Sequence, residues 1–75
     1  MTQEEYENWK SMKGHQVFVD ALIEAIIFQK RFMYITPRLY NRFDSLRKKY
    51  NIKDTSDIYP FIEKEATIIY NKKHF

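Results

Sequence analysis

From Gln16 to Ile35 the chain reads QVFVDALIEAIIFQKRFMYI, and on a helical projection its only clear polar stripe is Gln16, Asp20, Glu24 and Arg31. Positions 17, 18, 19, 21, 22, 23, 25, 26, 27 and 28 are all apolar. A surface helix needs one apolar stripe, so a helix that is apolar nearly all round has to be covered on several sides. The pattern predicts a central helix over 16–34. It also predicts that Phe18, Leu22, Ile26 and Phe28 present apolar surface that short companion helices do not screen. A second copy of the chain, in a homo-oligomer, or another protein is then expected to cover it. Val17-Phe18-Val19 also suits a short strand, with Asp20 as an N-cap behind it, and the pattern alone leaves both readings open.

Three more helices follow from their punctuation. Thr2-Gln3-Glu4-Glu5 has the spacing of a capping box, in which Thr2 and Glu5 satisfy each other's backbone N–H groups. Glu4, Glu5 and Glu7 then lie at the positive end of the helix dipole, and Lys10 and Lys13 near its negative end. Gly14, the only glycine, stands where a left-handed residue ends a helix. These signals predict a helix over 3–13 with Tyr6 and Trp9 as its apolar contacts and Met12 left open as a third. Thr36-Pro37 is a stop and a restart, because the residue before proline leaves the helical region and Thr-Pro supplies an N-cap and a first helical residue. A helix over 37–50 follows, with the apolar stripe Leu39, Phe43, Leu46 and Tyr50, and Asn51 closes it.

Asp54-Thr55-Ser56-Asp57 reads as a turn and cap. Pro60 is tolerated only in a first turn, which starts the last helix near 57 and runs it to 71. Ile58, Ile62, Ala66 and Ile69 form its inner stripe, widened by Phe61 and Ile68. The prediction is an all-α fold, a small helical bundle forming one domain over 1–75.

Composition narrows the function classes. Seventy-five residues make one domain at most, and a chain near this size buries only about 60% of its unfolded surface. The absence of cysteine removes disulfides, thiolate zinc sites and cysteine nucleophiles, and fits a reducing compartment. Residues 2–13 are polar and acidic where a secretory leader needs a basic and then an apolar stretch. The apolar run is too short, and with Asp20 and Glu24 too charged, to cross a bilayer. A cytoplasmic protein without a membrane partner is expected. Nine Ile and nine Lys against three Leu and three Ala is the skew that an AT-rich genome produces, which fits a phage or another mobile element.

Charge is confined. Residues 30–53 carry Lys30, Arg31, Arg38, Arg42, Arg47, Lys48, Lys49 and Lys53 against Asp44 alone, while residues 1–29 are net acidic. On the third helix Arg38, Arg42 and Lys49 fall near one another, beside Asn41, Ser45 and Lys48. Arginine pairs bidentately with carboxylate, phosphate or guanine, and asparagine with adenine, so this face suits an acidic protein or a DNA groove. Leu39-Tyr40-Asn41-Arg42-Phe43-Asp44-Ser45 resembles the recognition-helix end of tetracycline-repressor-type regulators. The short helix and turn that precede it in that family are absent, so the resemblance implies no membership. A net positive chain is the opposite of a DNA mimic.

Candidate chemistry is sparse. His15 and His74 are far apart in sequence and share no metal-ligand spacing. Glu63 and Glu65 fall on different faces of the last helix and form no acid–base dyad. Nucleophile elbows and phosphate loops need glycines that this chain lacks. The sequence therefore predicts a protein without catalysis, metal or cofactor. It predicts a small non-enzymatic interaction protein that binds and modulates another protein, of a host or a virus. Arg38, Tyr40, Asn41, Arg42, Lys48, Lys49 and Trp9 are the expected partner contacts. The alternative is a small dimeric DNA-binding regulator that uses the basic helix.

Overall fold

In the computed structural model, which describes residues 1–53 and 55–73 (Lys73 by its backbone alone), four helices follow one another. They are α1 (Gln3–Lys10), α2 (His15–Phe32), α3 (Pro37–Lys49) and α4 (Tyr59–Lys73), and no strand occurs among the described residues. The fold is the expected all-α bundle. Asp54 and His74, which the sequence reading placed in a cap and at the chain end, lie outside the described residues.

The capping box forms. The Glu5 N–H donates to Thr2 Oγ1 at 3.1 Å, and the Thr2 N–H donates to Glu5 Oε1 at 2.8 Å. That backbone donor favours the ionised carboxylate and lowers the Glu5 pKa from its ordinary value. The helix stops at Lys10 instead of 13, because the Met12 N–H turns back to the Trp9 carbonyl at 3.2 Å. The His15 N–H then bonds the Met12 carbonyl at 3.0 Å, and Gly14 takes the left-handed φ of 83°. α2 begins at once, so 17–19 is helical, and Asp20 accepts from Gln16 Nε2 at 2.8 Å instead of capping.

α2 ends at Phe32, earlier than 34, because Met33 enters the left-handed region at φ 65° while its N–H closes on the Gln29 carbonyl at 2.8 Å. Thr36 Oγ1 accepts the Leu39 N–H at 3.2 Å with Pro37 at the first helical position, so the predicted cap is real. Thr36→Ala should therefore lower stability by about 1 kcal/mol. Urea denaturation reads it, and a midpoint indistinguishable from the parent's would show the cap to be idle.

At the far end of α3, Asn51 is left-handed at φ 56°. The Asn51 N–H reaches the Lys48 carbonyl at 3.2 Å and the Ile52 N–H the Arg47 carbonyl at 2.9 Å, a Schellman closure that tucks Ile52 into the core. A turn at 55–58, with the Tyr59 N–H on the Thr55 carbonyl at 2.9 Å, delays α4 to Tyr59. Pro60 then sits in the first turn, where its missing N–H costs nothing.

α2 is the centre, packed against α3, α4 and α1. The core joins Tyr6 of α1, Phe18, Val19, Leu22 and Ile26 of α2, Ile52 and Ile58 of the connection, and Ile62 and Ala66 of α4. This corrects the expected oligomer surface. Phe18, Leu22 and Ile26 are 1%, 7% and 6% exposed, covered by the chain's own helices, and only Phe28 of the four stays half-open. The short helices suffice because Tyr6, Phe61 and the buried Ile52 and Ile58 bring bulk that helix count underestimates. Among the described residues, no helix is long and apolar enough to cross a membrane.

Candidate interaction site

α3 buries none of its residues fully; Leu39, Phe43, Leu46 and Tyr50 are half-buried on its inner side. A helix held so shallowly leaves a furrow against its neighbour. The furrow is an open cleft of about 760 Å³ between the second half of α2 and the start of α3. Its α2 wall is Glu24, Ile27, Phe28, Arg31 and Phe32, and its α3 wall is Arg38, Leu39 and Arg42, with Thr36 at the closed end of the loop. The floor is apolar and the rim carries three arginines and one carboxylate.

The aromatic floor is ordered by its own contacts. Phe28 lies 4.6 Å from the Phe32 ring and meets Tyr34 edge-on at 5.4 Å. The Arg31 guanidinium stands over Phe32 at 5.2 Å, a cation–π contact that holds the charge at the rim. Phe32 and Tyr34 are nonetheless 47% and 57% exposed, and Met33 beside them is 85% exposed. From Ala25 to Phe43 the sequence has no carboxylate, so nothing acidic interrupts this surface along the chain.

The other predicted contacts divide. Arg38 and Arg42 join the rim, but Arg42 is tied across the cleft by Glu24. Arg38 makes no ion pair among the described residues. Asp44 accepts from Arg47 at 2.9 Å and from Lys48 at 3.2 Å, and the Arg47 hydrogen bond foremost lowers its pKa from the ordinary value. Lys49 stands over the Tyr50 ring at 5.4 Å, at the far end of α3 from the cleft. Tyr40 is half exposed with its ring edge on Phe43 at 5.0 Å, and Asn41 is exposed. Trp9 is half-buried in the lid of the core, stacked on Tyr6 at 6.2 Å and tilted against His15 at 4.3 Å, and does not line the cleft.

Sequence reasoning missed Glu24, Ile27, Arg31, Phe32 and Leu39 as parts of one site. The α2 wall at 24, 27, 28, 31 and 32 is a single helical stripe, and that spacing together with the acid-free run was the available signal.

Titratable groups elsewhere hold the fold together. His15 is 8% exposed with Nδ1 2.9 Å from the Trp9 carbonyl, so that nitrogen carries the proton. Glu65 accepts the Tyr6 hydroxyl at 3.0 Å and Lys10 Nζ at 2.8 Å, fastening α1 to α4. Among the described residues no group of three His, Asp or Glu is placed to hold a metal ion.

Burial first, and then the bond to Glu65, push the Tyr6 hydroxyl well above its ordinary 10.0. The Glu65 bond likewise raises Lys10. Both groups are held in their protonated forms, so their contribution to stability is complete below pH 10 and declines as pH rises above it. Alkaline titration of the unfolding midpoint should fall from there, and Tyr6→Phe should flatten that fall. An unchanged alkaline slope in Tyr6→Phe would exclude Tyr6 as its source.

No family model, curated protein or solved structure matches this chain.

Proposed function

We propose that this is a small non-enzymatic interaction protein that binds and modulates another protein through the α2–α3 cleft and the adjoining face of α3. The observation that carries the reading is the union, in one furrow, of an apolar floor (Ile27, Phe28, Phe32, Leu39) with the cationic rim Arg31, Arg38 and Arg42. Protein interfaces combine an apolar aromatic centre with a polar rim, and arginine and aromatic side chains supply most of their hot spots. A second copy fits less well, because pairing two clefts brings six arginines and only two carboxylates of their rims into one interface, a net like-charge repulsion that an acidic partner avoids.

The DNA-binding alternative gains less support. Arg42, Arg47 and Lys48 are engaged by Glu24 and Asp44, carboxylates that a phosphate backbone would meet at close range. The aromatic floor also offers nothing to a duplex backbone.

The test is capture from lysate on the immobilised protein, with and without nuclease, in parallel with Arg38→Glu/Arg42→Glu. A protein retained after nuclease and lost with the charge-reversed variant, itself folded by circular dichroism, supports the reading. Retention of nucleic acid alone, or capture indifferent to the two arginines, overturns it.

A further inference from the structure

The shape of the cleft says what kind of segment enters it. Both walls are helical stripes: 24, 27, 28, 31 and 32 on α2, and 38, 39 and 42 on α3. From Glu24 to Phe32 the α2 wall runs about 12 Å, roughly two helical turns. A β-strand laid there would leave its backbone N–H and C=O groups facing apolar side chains, because no sheet edge exists among the described residues to pair them. A helix satisfies those groups internally and presents only side chains to the furrow. Helix is the backbone form that this floor accepts.

The rim sets the charge pattern. Arg38 and Arg42 are one turn apart along the α3 edge, about 6 Å by helical rise. Arg31 and Glu24 are two turns apart along the α2 edge. Arg38 has no anionic partner among the described residues, whereas Arg42 is held by Glu24, with both side chains of that pair about half exposed at 53% and 55%. An exposed pair of this kind is worth little and exchanges readily. A carboxylate arriving beside Arg42 replaces Glu24, which is then released toward the opposite edge of the incoming segment.

Resting on the interaction reading above, we infer that the segment bound in the cleft is one amphipathic α-helix of the partner. It places apolar residues at i, i+3 or i+4, and i+7 against Phe28, Phe32 and Leu39. It carries two carboxylates one turn apart on the edge facing Arg38 and Arg42. A basic residue is accepted only on the other edge, beside the released Glu24.

Three synthetic peptides of about 16 residues, long enough to populate a helix, test this by fluorescence anisotropy at physiological salt. All carry leucines at i, i+3 and i+7. The first has a Glu pair, spaced i, i+4, flanking the leucines; the second has that pair on the face opposite the leucines; the third has a Lys pair in the flanking position. The first peptide should bind about tenfold more tightly than the others, since two rim ion pairs are lost or reversed in those. Arg38→Glu/Arg42→Glu should invert the order in favour of the Lys peptide, a result that simple loss of fold does not produce. Equal affinities, no binding by any peptide, or an order unmoved by charge reversal would overturn the inference. If lysate capture still depends on Arg38 and Arg42 while the peptides show no preference, the helical acidic occupant is wrong and the interaction reading stands. Capture indifferent to both arginines removes the reading itself.

Discussion

Gly14→Ala is expected to bring the protein close to unfolding, although the change adds a single methyl group at the surface end of a turn. Two costs fall on one position. At φ 83° an L-residue is strained, by roughly 1–2 kcal/mol. A Cβ would also overlap the Cδ1, Cε1 and Cγ atoms of Tyr50, the body of the ring and not a flexible tip. Forcing extra volume into such a contact costs about 1–3 kcal/mol more. Tyr50 has no easy retreat, because it caps α3 immediately before the left-handed Asn51 and the buried Ile52.

The summed penalty of about 2–5 kcal/mol compares with a total stability of roughly 4–11 kcal/mol for a chain this size. Urea denaturation of Gly14→Ala, Tyr50→Ala and the double variant separates the two costs. In the Tyr50→Ala background the alanine at 14 should cost only the backbone share, so the effects will not add. If Gly14→Ala alone costs less than about 1 kcal/mol, the close approach of Tyr50 to Gly14 does not constrain the fold.

The second large effect separates two phenylalanines of the same helix. Phe18→Ala should cost about 3–5 kcal/mol of stability. Its ring is 1% exposed and meets Trp9 and Phe43 edge-on, each at 6.5 Å, so it links α1, α2 and α3. Phe28→Ala, half-buried on the cleft floor, should cost no more than about 1.5 kcal/mol of stability. It should weaken partner binding by roughly thirtyfold, the loss of an aromatic hot spot worth about 2 kcal/mol. Denaturation and a binding titration on both variants, at a temperature where both are folded, read the contrast. Unchanged binding in Phe28→Ala, or a stability loss equal to that of Phe18→Ala, would return Phe28 to the core.

The sequence by itself determined the elements, because their signals are local. Thr2 with Glu5, Gly14, Thr36-Pro37 and Asn51 each act within a few residues of their own position, through hydrogen bonds and φ preferences that need no distant partner. The boundaries slipped where local signals were permissive. α2 was ended by Met33, a residue with no intrinsic preference for the left-handed φ of 65° that it adopts. α4 was delayed by a turn whose bonds to Thr55 periodicity does not announce.

Tertiary structure alone decided which apolar surface remains outside. Phe18, Leu22 and Ile26 share one helical stripe and Phe28 projects from another face beside Glu24 and Arg31, but both faces are apolar and the helix alone does not say which of them its neighbours cover. Only the placement of α1, α4 and the Ile52–Ile58 connection buries that stripe and leaves Phe28 at an open cleft. The basic face was divided in the same way: Glu24 lies far from Arg42 in sequence yet holds it across the furrow, while Arg38 stays unpaired among the described residues. Side-chain chemistry is written residue by residue, but burial and pairing depend on what the rest of the chain brings alongside.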